Sequence, residues 1–535
     1  MKPFDQAGHF QGHCETVQLS KTAIRNSGIT ITAQAVIFVI QMSGTLVLAR
    51  ILNPSDFGVI TMVTTFSLLL SSFGLAGFTE AVIQAEEINH ALASTLFWIN
   101  LGGGCAVAVA FAEAGPLLAR FYAEPRIRGV CIGISLAIFF SVAPILHLAL
   151  LKRSNRFSAL AVNDIAGRCA YVVTALVCAL CGWHYWALVA AAVVQPMVLC
   201  IGAIILCPWI PCRPQKGVGA GKLIRYARDV YGRFSLNYCT GNTDNLLVGW
   251  RFGASTLGYY KKAFDIFVLP SYQLMTPVLA VVVGTLSRKS KDHQEFKRYF
   301  IKGLGVVALL GMGISADLTL VGRDLVRLIL GAKWTESGYI FTFFAPGIGL
   351  MLIYQSCGWI HLSLGTTGRW LRWTVIEVSL TALLFVIGLN WGPAGVAGAW
   401  TLSFVVLTIP AFGYAGKPIG LSASSVLKAI WRYALASVAA CLATEAVATN
   451  LAQLTTLSQE GMFEALSRAV TISIIFTCLY AIALIAIFRS MEPVHLLTDL
   501  FSQLFHGLSS RFAAKSANEL PRSWSGDVPQ KQEAS

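Results

Sequence analysis

About fourteen times between residues 26 and 488 the chain runs for some twenty residues with almost no charge, and no other feature restricts its fold so strongly. The runs lie at 26–50, 57–83, 91–113, 128–150, 159–181, 184–207, 231–251, 257–285, 296–320, 337–361, 372–390, 394–414, 428–450 and 467–488. Each is long enough to cross a hydrocarbon core as an α-helix. In lipid a spanning segment must satisfy its own backbone polar groups, so the expected fold is an all-α polytopic membrane protein. Only 12% of residues are charged, against about 25% in ordinary soluble chains. No loop between runs exceeds about thirty residues, which leaves no room for a soluble domain.

The net charge of +14 does not indicate a nucleic-acid partner, because the basic residues lie between the apolar runs and not in one exposed patch. They gather in alternate loops: Lys152, Arg153 and Arg156; Arg213, Lys216, Lys222, Arg225 and Arg228; Arg288, Lys289, Lys291, Lys297 and Arg298. The excess of positive charge on cytoplasmic loops places these segments, and both termini, inside the cell. Residues 1–23 then read as a cytoplasmic N-terminal tail without the apolar core of a signal peptide, and 490–535 as a polar cytoplasmic tail. Cysteines sit mostly within apolar runs, where a thiol acts as a small hydrophobe. Cys178 and Cys181 have no second pair nearby to complete a metal site.

The chain also repeats itself. Arg50-Ile-Leu-Asn-Pro-Ser-Asp-Phe57-Gly58 reads like Arg251-Phe-Gly-Ala-Ser-Thr-Leu257-Gly258, with one residue fewer and the closing glycines 200 residues apart (258 − 58). Trp183-His-Tyr-Trp-Ala-Leu-Val-Ala matches Trp391-Gly-Pro-Ala-Gly-Val-Ala-Gly at an offset of 208 (391 − 183). Matches in the same order at nearly one offset indicate duplication of a six-span unit. The expected organisation is a first lobe over 24–210, a cytoplasmic linker over 211–229 and a second lobe over 230–415. Two further spans follow within 427–489. Six is an even number, so the lobes share orientation and are related by an axis along the membrane normal.

One run is far too polar to face lipid. In YGRFSLNYCTGNTDNLLVGWR, from Tyr231 to Arg251, Arg233, Asn237, Thr240 and Asp244 recur at i, i+4, i+7 and i+11, one face of a single helix. Intramembrane polar groups usually turn toward a bundle interior or a watered cavity, so this helix is expected to wall a hydrophilic passage. A helix interface with satisfied side chains is the alternative. Its counterpart in the first lobe, 26–50, carries Gln34 and Gln41. The two helices are therefore expected to meet across the lobe interface. Asp244 is the leading ion-coupling carboxylate, with Glu377 a weaker one beside Arg369 and Arg372. Arg168 lies mid-span four residues after Asp164, either as an i, i+4 ion pair or as a cation facing the passage. Catalytic signatures are missing: Gly217-Val-Gly-Ala-Gly221-Lys222-Leu223 is one residue short of a phosphate loop and lacks its Ser or Thr. No cofactor is expected, and the chain is not expected to be an enzyme.

Leu48-Ala-Arg50-Ile-Leu-Asn-Pro54-Ser-Asp-Phe57-Gly58 resembles a signature that follows the first span of polysaccharide-exporting flippases. Asn242-Thr-Asp244-Asn245-Leu-Leu-Val-Gly249, then Leu257-Gly258-Tyr259-Tyr260 and Ala263, is similar to that group's central run. The resemblance points to the polysaccharide-transport (Wzx-like) branch of the multidrug, oligosaccharidyl-lipid and polysaccharide flippase superfamily. It implies a bacterial inner-membrane protein that turns an undecaprenyl-diphosphate-linked oligosaccharide between leaflets, with a polymerase and a chain-length regulator as partners. A diphosphate needs cations, and Arg25, Arg168 and Arg233 are the expected ones. Asn237, Asn242, Asn245, Gln34 and Gln41 would line the sugar path, and Asp244 would couple a proton or sodium ion. A membrane glycan polymerase and small-molecule efflux are the alternative functions.

Overall fold

The computed structural model describes residues 3–5, 8–10, 19–72, 77–85, 87–215, 217, 219–454 and 462–489. Of the N-terminal tail read over 1–23, most of 1–18 lies outside the described residues and 19–23 belongs to the first helix; all of 490–535 lies outside them. The first half comprises α1 (Leu19–Ile51), α2 (Pro54–Ser72), α3 (Thr79–Gln84), α4 (His90–Glu113), α5 (Gly115–Phe121), α6 (Ile127–Val142), α7 (Ile145–Arg153), α8 (Phe157–Leu180) and α9 (Tyr185–Leu206). The second comprises α10 (Ala220–Thr240), α11 (Thr243–Pro270), α12 (Thr276–Arg288), α13 (His293–Leu330), α14 (Thr335–Phe344), α15 (Gly347–Gln355), α16 (Cys357–Ser363), α17 (Thr367–Gly388) and α18 (Gly392–Gly416). Outside both, α19 (Ala423–Leu454) and α20 (Met462–Phe488) pack on each other and on α13.

Local chemistry sets the helix starts. Pro54 opens α2, and the Asp56 carboxylate reaches back to accept from the Asn53 backbone N–H at 3.0 Å. Asn89 caps α4 by accepting from Leu92 N–H at 2.8 Å, and Asp292 caps α13 by accepting from Gln294 and Glu295 N–H. Nine helical stretches among the described residues are long and apolar enough to cross a membrane, and the bent pair Ala332–Phe344 with Gly347–Ser363 makes a tenth. One of the nine, Thr367–Ile419, holds both α17 and α18, parted at Gly392 with φ 74°. The remaining expected spans are the short α2–α3 and the polar, interrupted stretch from α10 to α12. The architecture is thus all-helical, with fourteen spans a count it accommodates.

Backbone conformation supports the duplication independently of side chains. Three turns in each half place a residue in the left-handed region: Ala123 and Gly331 (φ 53° and 100°), Asn155 and Gly365 (56° and 66°), His184 and Gly392 (48° and 74°). The first and last pairs are each 208 residues apart (331 − 123 and 392 − 184), and the middle pair 210 (365 − 155).

The halves meet through α2 and α11. A Cβ on Gly58 would lie 1.7 Å from the Ala254 carbonyl oxygen, and a Cβ on Gly258 would lie 1.9 Å from that of Pro54. Pro54 and Ala254, like Gly58 and Gly258, are 200 residues apart, so each half offers the same glycine to the same position of the other. Such a reciprocal contact is the mark of a two-fold axis. Around it Trp334 donates its indole N–H to the Ala49 carbonyl at 2.8 Å and packs edge-on to Phe57, while Trp250 stacks on Phe121. These contacts seal the ends of the halves that carry Arg50 and Arg251.

At the opposite end the first half is tied to its own beginning. Phe4 lies 6.0 Å from Trp209 and 5.2 Å from His90, and the Arg153 guanidinium donates to the carbonyls of Val82, Ile83 and Ala85 beneath Phe10.

Two expectations are corrected. The stretch 231–251 is not one helix: α10 ends at Thr240, Gly241 and Asn242 form a turn, and α11 starts at Thr243. Thr-Gly-Asn-Thr-Asp explains the break, since glycine and asparagine close helices and an early aspartate favours opening one. Arg233 and Asn237 therefore do not share a helix face with Asp244. Nor do the two counterpart helices chiefly pair with each other. The first, α1, packs on α8 of its own half, with Gly44 against Val172, whereas α10 packs on α2 and α3, with Tyr231 donating to the Leu69 carbonyl at 3.0 Å.

Gly258→Val is expected to lower stability by about 1–3 kcal/mol through overpacking. Gly28→Ala, where a Cβ meets nothing within 4 Å, is expected to be silent. Thermal unfolding of the purified variants in detergent checks both, and equal midpoints would contradict the reciprocal contact.

Candidate functional site

Asp244 is fully buried at the first turn of α11. One carboxylate oxygen accepts from the Asn245 backbone N–H at 2.8 Å; the other accepts from the Tyr260 hydroxyl and the Trp400 indole N–H, each at 2.9 Å. The group therefore ties together the start of α11, a residue four turns along that helix, and α18. Around it Phe264, Phe267, Phe344, Phe385 and Phe404 form an aromatic shell with Trp400. A low-dielectric surround makes donors to a carboxylate strong and their loss costly. Asn245, next in sequence, donates to the Asn242 side-chain oxygen at 3.3 Å, and its own Oδ1 is buried with no hydrogen-bond partner among the described residues. Asn242 in turn donates to the Tyr238 carbonyl at 3.0 Å.

The remaining expected site residues are dispersed. Arg168 on α8 has an enclosed Nε without a hydrogen-bond partner, and its guanidinium lies 6.0 Å from the Tyr171 ring. No ion pair between Arg168 and Asp164 within 4.0 Å is present among the described residues. Gln34 and Gln41 are exposed on α1. From the Gly44–Val172 contact, Gln41 lies three residues back on α1 and Arg168 four back on α8, within about 1.5 Å of the same level along each helix. Glu377 on α17 is half-buried beside the Tyr354 hydroxyl, which also accepts from the Trp373 indole at 2.9 Å. Its expected partner Arg369 instead donates to the Tyr414 carbonyl at 2.7 Å and lies over that ring. The side chains of Arg25, Arg233 and Asn237 lie outside the described residues.

Sequence reasoning missed four residues. Trp400 and Tyr260 complete the Asp244 knot; Tyr260 stood in the quoted motif, while nothing local marks Trp400. Lys261 and Lys262 were also passed over. Lys262 is buried with its ammonium 4.2 Å from the Phe57 ring of the other half, and Asp265 pairs with Lys261 at 2.9 Å and Lys262 at 3.7 Å.

The family model for polysaccharide biosynthesis proteins matches residues 47–338, which hold the reciprocal glycines and the Asp244 turn. The chain belongs to that family. Among curated relatives of this polysaccharide biosynthesis protein, the lipopolysaccharide biosynthesis protein WzxC of Escherichia coli is 22% identical over 393 residues, 72% of this chain and 79% of the relative. The succinoglycan biosynthesis transport protein ExoT of Rhizobium meliloti is 22% identical over 332 residues, 62% and 67% of the two chains. Among solved structures, the lipid II flippase MurJ in an inward closed conformation superposes with a TM-score of 0.68 at 14% identity, covering 87% of this chain and 99% of its own. An inward-facing multidrug resistance MATE transporter follows at 0.57 and 11%, covering 73% and 96%. At such identities the likeness is one of fold.

Asp244→Ala leaves the Tyr260 and Trp400 donors buried without an acceptor, at about 1–3 kcal/mol each, whereas Asp244→Asn keeps a side-chain oxygen. The alanine variant is expected to unfold at clearly lower temperature than the asparagine variant in detergent. Equal midpoints would show that the three donors contribute little.

Proposed function

We propose that this polysaccharide biosynthesis protein moves an undecaprenyl-diphosphate-linked oligosaccharide repeat unit from the cytoplasmic to the periplasmic leaflet of the bacterial inner membrane, for exopolysaccharide or lipopolysaccharide assembly. The observation that carries this reading is the reciprocal packing of two duplicated six-span halves. The halves meet most extensively through α2 and α11 near one end and touch again where α10 packs on α2 and α3; rocking about the first contact with release of the second exposes an inner face alternately to each side without covalent chemistry. Both termini are taken as cytoplasmic from the placement of the basic loops.

In this reading the guanidinium of Arg168, whose Nε is buried without a hydrogen-bond partner among the described residues, meets the diphosphate, with Gln41 at its level for the first sugar. Arg25 and Arg233 are further proposed cations, and Gln34, Asn237, Asn242 and Asn245 further polar lining. Asp244 is the proposed ion-coupling residue. A proton or sodium ion arriving there competes with Tyr260 and Trp400, and so alters the tie between α11 and α18. Glu377 is a secondary carboxylate for the same purpose. The chain is read as a transporter and not an enzyme, with a polymerase and a chain-length regulator taking over the delivered unit.

A strain deleted for the gene and complemented at matched membrane levels tests this. Arg168→Ala is expected to cut surface polysaccharide at least about tenfold, the equivalent of one charge-assisted hydrogen bond, and to accumulate lipid-linked repeat units. Arg168→Lys is expected to restore part of the export. Intact export in Arg168→Ala would remove the proposed site. Drug sensitivity on deletion with unaltered polysaccharide would favour small-molecule efflux, and glycan lengthening by the reconstituted protein a polymerase.

A further inference from the structure

A groove of about 520 Å³ runs between α13 of the second half and the added helix α20. The two helices are antiparallel and are pinned at two levels. Beyond one end of the groove Tyr480 packs on Gly313 and donates to the Leu309 carbonyl at 2.9 Å; partway along it Arg468 Nε donates to the Asp324 carboxylate at 2.7 Å. The walls are mostly apolar, with Val321 and Val470 between these levels and Leu325, Leu328 and Leu466 past the Asp324–Arg468 pair. Leu466, Val470 and Ile474 are half-exposed on its outer side, facing where acyl chains would lie. Its length from Asp317 to Leu328, eleven residues of α13, is about 16 Å.

Polar groups enter this lining from Asp317, Ser473 and Thr477, and Asp317 is the carboxyl among them. Its Oδ2 accepts from the Ser473 hydroxyl at 3.2 Å, while its Oδ1 is buried without a hydrogen-bond partner among the described residues. A carboxyl oxygen enclosed in apolar surroundings calls for a polar partner. Asp317 sits seven residues, about 10 Å, from the Asp324–Arg468 pair toward the interior of the span. Water-soluble ligands do not reach that depth from the side, but lipids do. An ionised carboxylate repels a phosphate headgroup, and a protonated one needs an acceptor. A hydroxyl answers both states, because it donates to the first and accepts from the second.

We propose that the α13–α20 groove is a binding site for a neutral lipid bearing a free hydroxyl, with Asp317 and Ser473 holding the hydroxyl and the apolar walls one hydrocarbon chain. The site is separate from the path of the transported headgroup, which carries negative charge.

The full-length protein in phospholipid nanodiscs, exposed to a photoactivatable diacylglycerol and mapped by mass spectrometry, tests this. Label is expected on peptides of α13 and α20, and unlabelled diacylglycerol competes it away. Asp317→Leu is expected to weaken labelling about tenfold, the loss of one buried hydrogen bond. Asp317→Asn keeps a donor and an acceptor and is expected to retain most of it. Ala469→Trp fills the groove and is expected to abolish label in a protein whose unfolding temperature shows that it is folded. Labelling of Asp317→Leu at the level of the unaltered protein would overturn the proposal. So would stronger competition by undecaprenyl phosphate than by diacylglycerol, which would assign the groove to the tail of an anionic lipid.

Discussion

Two glycines, each pressed against the backbone of the other's half, set how closely the halves of this molecule approach. Gly58 and Gly258 lie one turn inside α2 and past the Gly253 kink of α11, and both would collide with a carbonyl if they carried a Cβ. Packing without side chains between two helices gives close backbone approach and strong dispersion contact, the means by which helices associate in lipid, where no hydrophobic driving force separates protein from solvent. The surrounding aromatic pairs, Phe57 with Trp334 and Phe121 with Trp250, are then brought into register from both sides. Any movement between the halves has this joint as its pivot.

Asp244 performs a comparable task inside the second half. An isolated charge in hydrocarbon is expensive, and here three donors from two helices surround it, two of them aromatic side chains. The carboxylate thus converts the break at Gly241 and Asn242 from a weakness into a fixed junction between α11 and α18. The first half has no such break: its α1 runs from Leu19 to Ile51 without interruption along α8. The two copies share turns and a joint, and they differ in how the first span of each is held.

The all-helical membrane fold and the glycine pair were legible in the sequence, because apolar length and turn chemistry are local properties. The Asp244 helix was misread for an instructive reason. Arg233, Asn237, Thr240 and Asp244 keep helical spacing on paper, but spacing does not register that Gly241 and Asn242 interrupt the backbone between them. Trp400 could not be seen, since its indole reaches Asp244 across 156 residues of chain and no local pattern distinguishes it from a lipid-facing tryptophan. Lys262 was hidden for another cause: an ammonium over an aromatic ring needs the opposite half to supply Phe57. The i, i+4 spacing of Asp164 and Arg168 suggested a pair that the side chains do not make.

The aromatic cluster that joins Phe4, His90 and Trp209 brings the opening residues of the first half beside those that end it. A unit whose entrance and exit are neighbours on one membrane face can be copied in tandem by a short connector, with neither copy obliged to unthread a helix. The stretch from Cys207 to Gly219 needs to be no more than that connector. The descent of this protein from a single ancestral bundle is, on this geometry, topologically cheap.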